Sequence, residues 1–192
     1  MTNSKSNYPI GVIHGRFQIL HNDHLKYLLA GKKLCDHLIV GIANPDPSQS
    51  RYTKANPHRN TEFANPLTYY ERFILIQEAL LEYDSSLTEF SIVPFPINTP
   101  DLISYYVPMD AVFFLTIYDE WGRKKKTIFE QLGVNIHLLW EVPLEEKGLR
   151  SKDIRELIFQ DKKWDHLVPQ SVAKSLKNWD IRTRLKEIRD LI

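Results

Sequence analysis

The chain has 192 residues, 43% of them hydrophobic and 26% charged, with a formal net charge of +1 at pH 7. This composition excludes a disordered protein, and the near-neutral charge argues against a non-specific nucleic-acid surface. Cys35 is the single cysteine, which excludes an internal disulfide framework and fits a reducing compartment. No stretch has the apolar length of a membrane-spanning helix, and the polar residues 1–7 lack the core of a signal peptide. We therefore expect a cytoplasmic protein that binds neither membrane nor nucleic acid.

The length suits one domain spanning residues 1–192, with a loose tail at 1–7 and a terminal helix at 179–192. Apolar runs typical of buried strands alternate five times with helical patterns. The predicted strands cover residues 9–13, 38–43, 90–97, 111–116 and 134–140. This alternation predicts an α/β fold: a Rossmann-like, doubly wound, parallel five-stranded sheet with helices on both faces and a C-terminal helical tail. The G-x-G-x-x-G fingerprint is absent after the first strand, so NAD as a redox cofactor is not indicated.

The turn after the first strand has the features of a phosphate site. Gly15 allows the backbone to approach a bulky ligand closely. His21 and His24 are three residues apart, so a helix beginning at Asn22 places them near one face at its N-terminus. Free amide donors and partial positive charge make that end suitable for phosphate. Together with Arg16, the two imidazoles would hold a polyphosphate.

Other interpretations of the histidine pair remain open. Two histidines near a helix start also serve as caps or surface residues, and a His-x-x-His pair is also half of a metal site. Zinc is disfavoured because Cys35 is the only cysteine and no carboxylate–histidine set is spaced to complete four ligands.

Long or polar segments follow several predicted strands at their carboxyl ends, where open α/β sheets bind ligands. Residues 44–65 form a long loop that is either a lid over phosphates or a floppy surface loop. Its basic residues are Arg51, Lys54, His58 and Arg59. Residues 98–101 and 117–123 form two further loops, and Lys124–Lys126 opens the helix after them. Three cations at a helix start oppose the dipole, which indicates an anionic partner unless they are simply a solvated face.

The next helix begins with a clear signal. Thr68 is the expected N-cap and Glu71 lies three residues later, the pattern of a capping box. Arg72 follows and by itself is typical of a solvated helix residue.

The run G-R-F-Q-x-x-H-x-x-H at residues 15–24 resembles the nicotinamide/nicotinate mononucleotide adenylyltransferases of the H-x-G-H nucleotidyltransferase superfamily, whose motif reads G-R-F-Q-P-x-H-x-G-H. Two residues depart from it. Ile19 replaces proline, and Asp23 replaces a glycine that lets the nucleotide lie against the backbone. An aspartate there is expected to bring bulk and negative charge towards phosphate.

Four more segments, between about residues 65 and 175, resemble the same family in the same order. Residues 65–72 read N-P-L-T-Y-Y-E-R, 119–123 contain an acidic-Trp-x-Arg loop, and 164–169 read W-x-x-L-V-P. In the segment 147–155, Leu149, Ile154 and Arg155 match the family pattern I-S-x-T-x-I-R, whereas Arg150 and Lys152 stand where the family has hydroxyl residues. These two additional cations would still attract phosphate.

The resemblance implies that a mononucleotide phosphate attacks the α-phosphorus of ATP and that pyrophosphate leaves, so that nicotinamide mononucleotide gives NAD. Positioning and charge neutralisation would drive this reaction. Mg²⁺ arriving with ATP is implied, without a dedicated protein metal site. The implied catalytic residues are His21, His24 and Arg155. The implied ATP contacts are Gly15, Arg16, Phe17, Ser151, Lys152 and Ile154, and the implied mononucleotide contacts are Asn98, Trp121 and Arg123.

Alternatives remain for both the acceptor and the role. Related transferases use nicotinate mononucleotide or a pantetheine phosphate, or carry out cytidylyl transfer. A non-catalytic nucleotide-binding or regulatory module is the alternative that Asp23, Arg150 and Lys152 motivate. The sequence does not give the oligomeric state, and a homo-oligomer is compatible with it.

Overall fold

The structure is a computed structural model that describes residues 6–46, 61–146 and 148–191. Most of the predicted lid lies outside the described residues, including Arg51, Lys54, His58 and Arg59. The same holds for Lys147 and for residues 1–5 of the loose tail predicted at the N-terminus. None of the helices among the described residues is long and apolar enough to cross a bilayer.

Strands and helices alternate as the sequence predicts. The strands are β1 (Tyr8–Gly15), β2 (Cys35–Ala43), β3 (Phe90–Phe95), β4 (Val112–Ile117) and β5 (Asn135–Glu141). The helices are α1 (Asn22–Lys32), α2 (Tyr69–Glu82), α3 (Glu120–Gln131), α4 (Ser151–Phe159), α5 (Gln170–Asn178) and α6 (Ile181–Asp190). Short 3₁₀ turns occur at Glu62–Ala64, Pro100–Tyr105, Leu144–Glu146 and Asp165–Leu167.

The sheet is parallel throughout, with the strand order β3-β2-β1-β4-β5. The chain therefore builds outward from β1 to β3, returns to the other side of β1, and builds outward again through β4 and β5. The reversal leaves a crevice between the carboxyl ends of β1 and β4, the place where folds of this kind bind ligands. The predicted Rossmann-like sheet is confirmed.

Each face of the sheet carries its own core. Ile13 belongs to the core that includes residues of α1, α2, α4, α5 and α6, whereas Val12 belongs to the core on the opposite face, with Phe95, Phe113 and Phe129. Adjacent residues of a strand point to opposite faces, so an apolar run is needed when both faces are covered. Each fully buried side chain of this size contributes roughly 1.5–3 kcal/mol to folding.

Two local predictions have different outcomes. The capping box at Thr68 is confirmed, because Thr68 Oγ1 accepts from Glu71 N at 3.1 Å and Glu71 Oε2 accepts from Thr68 N at 2.8 Å. The predicted helix start at Lys124 is wrong, since α3 begins at Glu120. Asp119 caps it by accepting from Gly122 N at 2.9 Å, so the three lysines lie beyond the first amides of the helix.

Candidate active site

The two histidines after β1 lie side by side at the start of α1, as their spacing predicts. His21 is the N-cap residue, with extended backbone, and its Nδ1 accepts from His24 N at 3.4 Å. The two rings stack with centroids 3.7 Å apart. Capping and surface packing were the alternatives for this pair, and His21 does cap the helix. The arrangement presents two imidazoles beside the amides of a helix N-terminus, which is a site for anionic oxygens.

The buried side chain of Phe17 packs against this turn. Its side chain is only 1% exposed and its ring meets that of His24 edge-on, with centroids 5.1 Å apart. A Cβ added to Gly15 would lie 2.8 Å from Phe17 Cζ, so the glycine makes room for that ring. Hydrophobic burial places the ring in the core, so only the backbone of Phe17 could contact ATP, and that contact stays a prediction. Gly15 itself remains half-buried at the end of the strand.

The N-terminus of α4 is bonded to the same turn. Ser151 Oγ donates to the carbonyl oxygen of Ile19 at 2.8 Å, and Arg155 Nη1 donates to the carbonyl oxygen of Gln18. Ile154 is fully buried, so its predicted contact with ATP cannot come from its side chain. The N-termini of α1 and α4 consequently lie next to each other, and each adds a partial positive charge to one region.

Asp23 does not act as the sequence suggested. Its Oδ2 accepts a hydrogen bond from Leu149 N at 2.7 Å, in the segment that leads into α4. The expectation that this carboxylate points towards phosphate is corrected, because the backbone amide holds it against the neighbouring segment. The carboxylate thus joins the two helix ends.

The candidate cations differ in exposure and pairing. Arg155 is only 3% exposed, and burial lowers its pKa to about 10, which leaves it charged at neutral pH. It forms no salt bridge within the described residues. Lys152 is exposed, Arg16 Nη1 donates to Asn65 Oδ1 at 3.4 Å, and Arg150 pairs with Asp153 at 3.0 Å. Buried Arg155 and exposed Lys152 are the cations of α4 best placed to meet an anion at its N-terminus.

Arg72 is a buried organiser of the site and not a solvated helix residue. It donates to the backbone oxygens of Arg16 at 3.1 Å, Ala43 at 2.8 Å and Asn44 at 2.9 Å. Burial lowers its pKa to about 10. One side chain therefore joins the turns that follow β1 and β2. The Glu-Arg pair after the capping box was the available signal, but its partners are far away in the sequence.

Gln18 is another residue whose role the sequence did not reveal. Its Nε2 donates to Leu67 O at 2.8 Å, and its Oε1 accepts from Leu67 N at 3.0 Å. The buried amide thereby attaches the turn after β1 to the segment before α2.

His14 lies at the carboxyl end of β1, on the opposite face from His21. Its ring stacks on Phe95 with centroids 4.7 Å apart and meets Phe129 edge-on at 5.3 Å. Neither ring nitrogen has a hydrogen-bond partner among the described residues. Burial, and secondarily Lys125, hold the pKa of His14 well below its ordinary value, so the ring is neutral. A polar residue inside an apolar strand was the signal for this position.

The predicted acceptor residues flank the crevice and belong to two separate strand ends. Asn98, after β3, donates from Nδ2 to Asn44 Oδ1 at 3.0 Å. Trp121 lies in the first turn of α3, with Lys124 Nζ 6.0 Å from its ring centroid. Arg123 pairs with Glu120 at 2.9 Å and with Glu141 at 3.4 Å. Because β2 and β1 lie between β3 and β4, the two strand ends that these groups follow are about 14 Å apart.

The described parts of the chain contain no group of three or more His, Cys, Asp or Glu side chains that could hold a metal ion.

Comparison with known proteins gives a consistent result. The sequence model of the cytidylyltransferase-like family matches residues 12–157. A phosphonoformate cytidylyltransferase from Streptomyces viridochromogenes is 41% identical over 176 residues, covering 92% of this chain and 95% of the relative. A nicotinamide-nucleotide adenylyltransferase from Ignicoccus hospitalis is 26% identical over 185 residues, covering 91% of this chain and 94% of the relative.

A solved structure shares the fold. It is a bifunctional NMN adenylyltransferase/ADP ribose pyrophosphatase from Francisella tularensis, with a TM-score of 0.62 at 13% sequence identity. The match covers 94% of this chain and 53% of the solved one, so the chain spans about half the length of that protein.

Proposed function

The chain belongs to the cytidylyltransferase-like family, and we propose that it transfers a cytidylyl group from CTP to a small acid bearing a phosphonate or phosphate group. Nucleotidyl transfer is the activity of its named relatives, and the protein is a nucleotidyltransferase. The choice of nucleotide and acceptor is supported by 41% identity to a phosphonoformate cytidylyltransferase, against 26% to an adenylyltransferase.

The observation that carries nucleotidyl transfer is the meeting of two helix N-termini at the His21–His24 pair. In the proposed reaction an oxygen of the acid attacks the α-phosphorus in line. A new P–O bond forms, the bond to the β-phosphate bridging oxygen breaks, and pyrophosphate leaves with the bonding electrons. This chemistry depends on positioning and on neutralising the charge that develops on the phosphates.

The residues proposed to bind phosphate come from both α1 and α4. His21 and His24 would donate to phosphate oxygens from the start of α1, and Lys152 and Arg155 would approach from α4. Arg155 is already held by Gln18 and needs no reorganisation to keep its charge beside the turn. Fixed donors of this kind stabilise a transition state without a rearrangement during the reaction.

Mg²⁺ fits this site as an ion carried by the triphosphate. It prefers oxygen ligands and usually takes one or two carboxylates together with substrate phosphates and water. Asp23 lies in the first turn of α1 but is held by Leu149 N, so phosphate oxygens and water would supply the ligands. When bound, the ion would neutralise phosphate oxygens and help pyrophosphate to leave.

A small acid would lie at the carboxyl ends of β1 and β4, beside Trp121 and Arg123, whereas Asn98, three strands away from β4, would reach only a longer acceptor. Lys124 lies near the ring of Trp121, and Arg123 is paired with two carboxylates. Neither Trp121 nor Arg123 therefore offers an uncovered surface on which a nicotinamide ring could stack, and this supports a small acid as the acceptor.

Adenylyl transfer from ATP to nicotinamide mononucleotide, giving NAD, is the second candidate. It is supported by the G-R-F-Q-x-x-H-x-x-H run and by adenylyltransferase relatives that cover about nine-tenths of the chain. The argument for a non-catalytic module is weakened, because Asp23 is held by Leu149 and is not directed at phosphate.

Pyrophosphate release distinguishes these functions. CTP and ATP, each with Mg²⁺, are tested separately with phosphonoformate, nicotinamide mononucleotide and nicotinate mononucleotide. We expect release with CTP and phosphonoformate, a cytidylyl product by mass spectrometry, and loss of both in His24→Ala. Release with ATP and a pyridine mononucleotide, but none with CTP, would overturn the proposal in favour of the second candidate.

A further inference from the structure

One contact connects the two phosphate-facing helix ends through a charged side chain. Asp23, in the first turn of α1, is 126 residues away from Leu149 in sequence, yet its Oδ2 lies 2.7 Å from Leu149 N. Leu149 stands two residues before Ser151, the first residue of α4. A hydrogen bond from an amide to a carboxylate is stronger than one between neutral groups. This contact therefore helps to set where α4 begins.

The absence of a side chain at Gly148 leaves the space that the Asp23 carboxylate occupies. A Cβ added there would overlap Asp23 Oδ2, and the three nearest atoms to it all belong to the Asp23 carboxyl group. The φ angle of Gly148 is outside the positive region, so the glycine is needed for space and not for its backbone conformation. Asp23 and Gly148 thus form a matched pair.

Two further hydrogen bonds join the start of α4 to the turn after β1. Ser151 Oγ donates to Ile19 O, and Arg155 Nη1 donates to Gln18 O. Both of these donors come from α4 and both acceptors are backbone oxygens of the turn after β1. The Asp23 contact alone among the three runs from a side chain of α1 to the backbone before α4.

We propose that Asp23 is a positioning residue that, through Leu149 and the space left by Gly148, fixes the N-terminus of α4 for binding the triphosphate. The proposal rests on the nucleotidyl transfer proposed above. A carboxylate in the first turn of α1 also interacts favourably with the dipole of that helix, so it stabilises one phosphate-facing end while orienting the other. Bonded to Leu149, it does so without being directed at the substrate.

Substitutions at Asp23 separate positioning from charge. Asp23→Ala removes the acceptor, whereas Asp23→Asn keeps an oxygen that can accept from Leu149 N and loses the charge. We expect Asp23→Ala to raise the KM for the nucleotide by roughly tenfold while kcat changes less, since a hydrogen bond to a charged group is lost. Asp23→Asn should restore KM to within about threefold of the wild type.

Hydrogen exchange of the Leu149 amide tests the contact without substrate. Exchange should be roughly tenfold faster in Asp23→Ala than in the wild type, and close to wild-type in Asp23→Asn. An unchanged rate in Asp23→Ala would overturn the proposal, because the amide would then be protected by something else. Thermal unfolding of each variant establishes that it is folded.

Gly148→Ala probes the other half of the pair. In the wild-type background the new Cβ displaces the carboxylate, so the KM for the nucleotide should rise as it does in Asp23→Ala. In an Asp23→Gly background the same change meets no carboxylate and should have little further effect. If Gly148→Ala raised the KM for the nucleotide equally in both backgrounds, the glycine would not act through Asp23, and this part of the proposal would be overturned.

The two proposals fail in different ways. If the wild type releases pyrophosphate with none of the nucleotides, the proposed function fails. If the wild type is active and Asp23→Ala leaves the nucleotide KM unchanged, the function stands and the positioning role is overturned. If Asp23→Asn is as damaging as Asp23→Ala, charge and not the hydrogen bond is what matters, and the positioning role is likewise overturned.

Discussion

Arg72 Nη1 lies 2.8 Å from the carbonyl oxygen of Ala43, at the point where β2 ends. The same nitrogen donates to the carbonyl oxygen of Arg16 after β1, at 3.1 Å. Since Arg72 has no salt-bridge partner in the described ranges, its buried charge is satisfied by carbonyl dipoles. A single guanidinium therefore holds two strand ends in register beside the crevice.

Arg72→Lys should be strongly destabilising. Lysine keeps the charge but lacks the planar fork that reaches carbonyls on two turns, so buried oxygens lose their donors. We expect a loss of about 2–4 kcal/mol in the free energy of unfolding, measured by urea denaturation, with reduced pyrophosphate release. The matched control is Arg182→Lys, in the more exposed pair with Asp161, which should cost less than about 1 kcal/mol. Similar losses in both variants would contradict this role for Arg72.

Gln18→Glu should create a pH-dependent defect. At neutral pH the carboxylate cannot donate to Leu67 O, and the free energy of unfolding should fall by about 2 kcal/mol. A protonated glutamate can donate, so the folded state raises its pKa, and the added stability is present at low pH and lost as pH rises. Urea denaturation at pH 4.5 and pH 7.5, relative to wild type, should show the smaller defect at pH 4.5. Gln131→Glu at the exposed end of α3 is the control, with changes under about 0.5 kcal/mol at either pH.

His14 should make stability depend on pH. The folded protein holds this imidazole neutral, with a pKa well below 6.5, whereas the unfolded chain protonates it near 6.5. The unfolded state then binds more protons below that pH, so the free energy of unfolding falls as pH drops from 6.5 towards 5. The slope from this residue is at most about 1.4 kcal/mol per pH unit.

The His14→Leu variant checks that slope. Leucine fits the apolar surroundings and cannot titrate, so the variant should lose less stability than the wild type between pH 6.5 and pH 5. Gln131→Leu, at an exposed position without a titratable group, is the control and should keep the wild-type slope. An unchanged slope in His14→Leu would show that another group is responsible.

Gly15→Ala should disturb the histidine pair through Phe17. The added Cβ would lie 2.8 Å from Phe17 Cζ, and that ring supports His24. Overpacking of this kind costs about 1–3 kcal/mol, and pyrophosphate release should fall more than stability does because His24 moves with the ring. Adding Phe17→Leu should recover part of the activity lost in Gly15→Ala. No recovery would mean that the glycine is needed for another reason.

Local signals located most of the elements. Apolar runs predict all five strands, and the three central strands are the most apolar because both of their faces are covered. The sequence predicts the start of α3 at Lys124, later than the observed Glu120, because Gly122 indicates a loop. A Cβ on Gly122 would lie 3.2 Å from Ile117 Cα, so the glycine is there to let the helix pass close to the end of β4. A packing requirement of this kind has no local sequence signature.

Local sequence patterns predict the five strands, the cap of α2, and the placement of His21 and His24 at a helix start, because each depends on residues within one turn or one strand. Three contacts appear only in the folded chain: Asp23 bonds Leu149, Arg72 joins two strand ends, and the Phe17 ring packs against Gly15. Two of these contacts join segments that are distant in sequence, and the third depends on which side of a turn is buried. Hydrophobic periodicity and capping patterns describe neighbours along the chain, whereas these contacts are selected when the whole core closes.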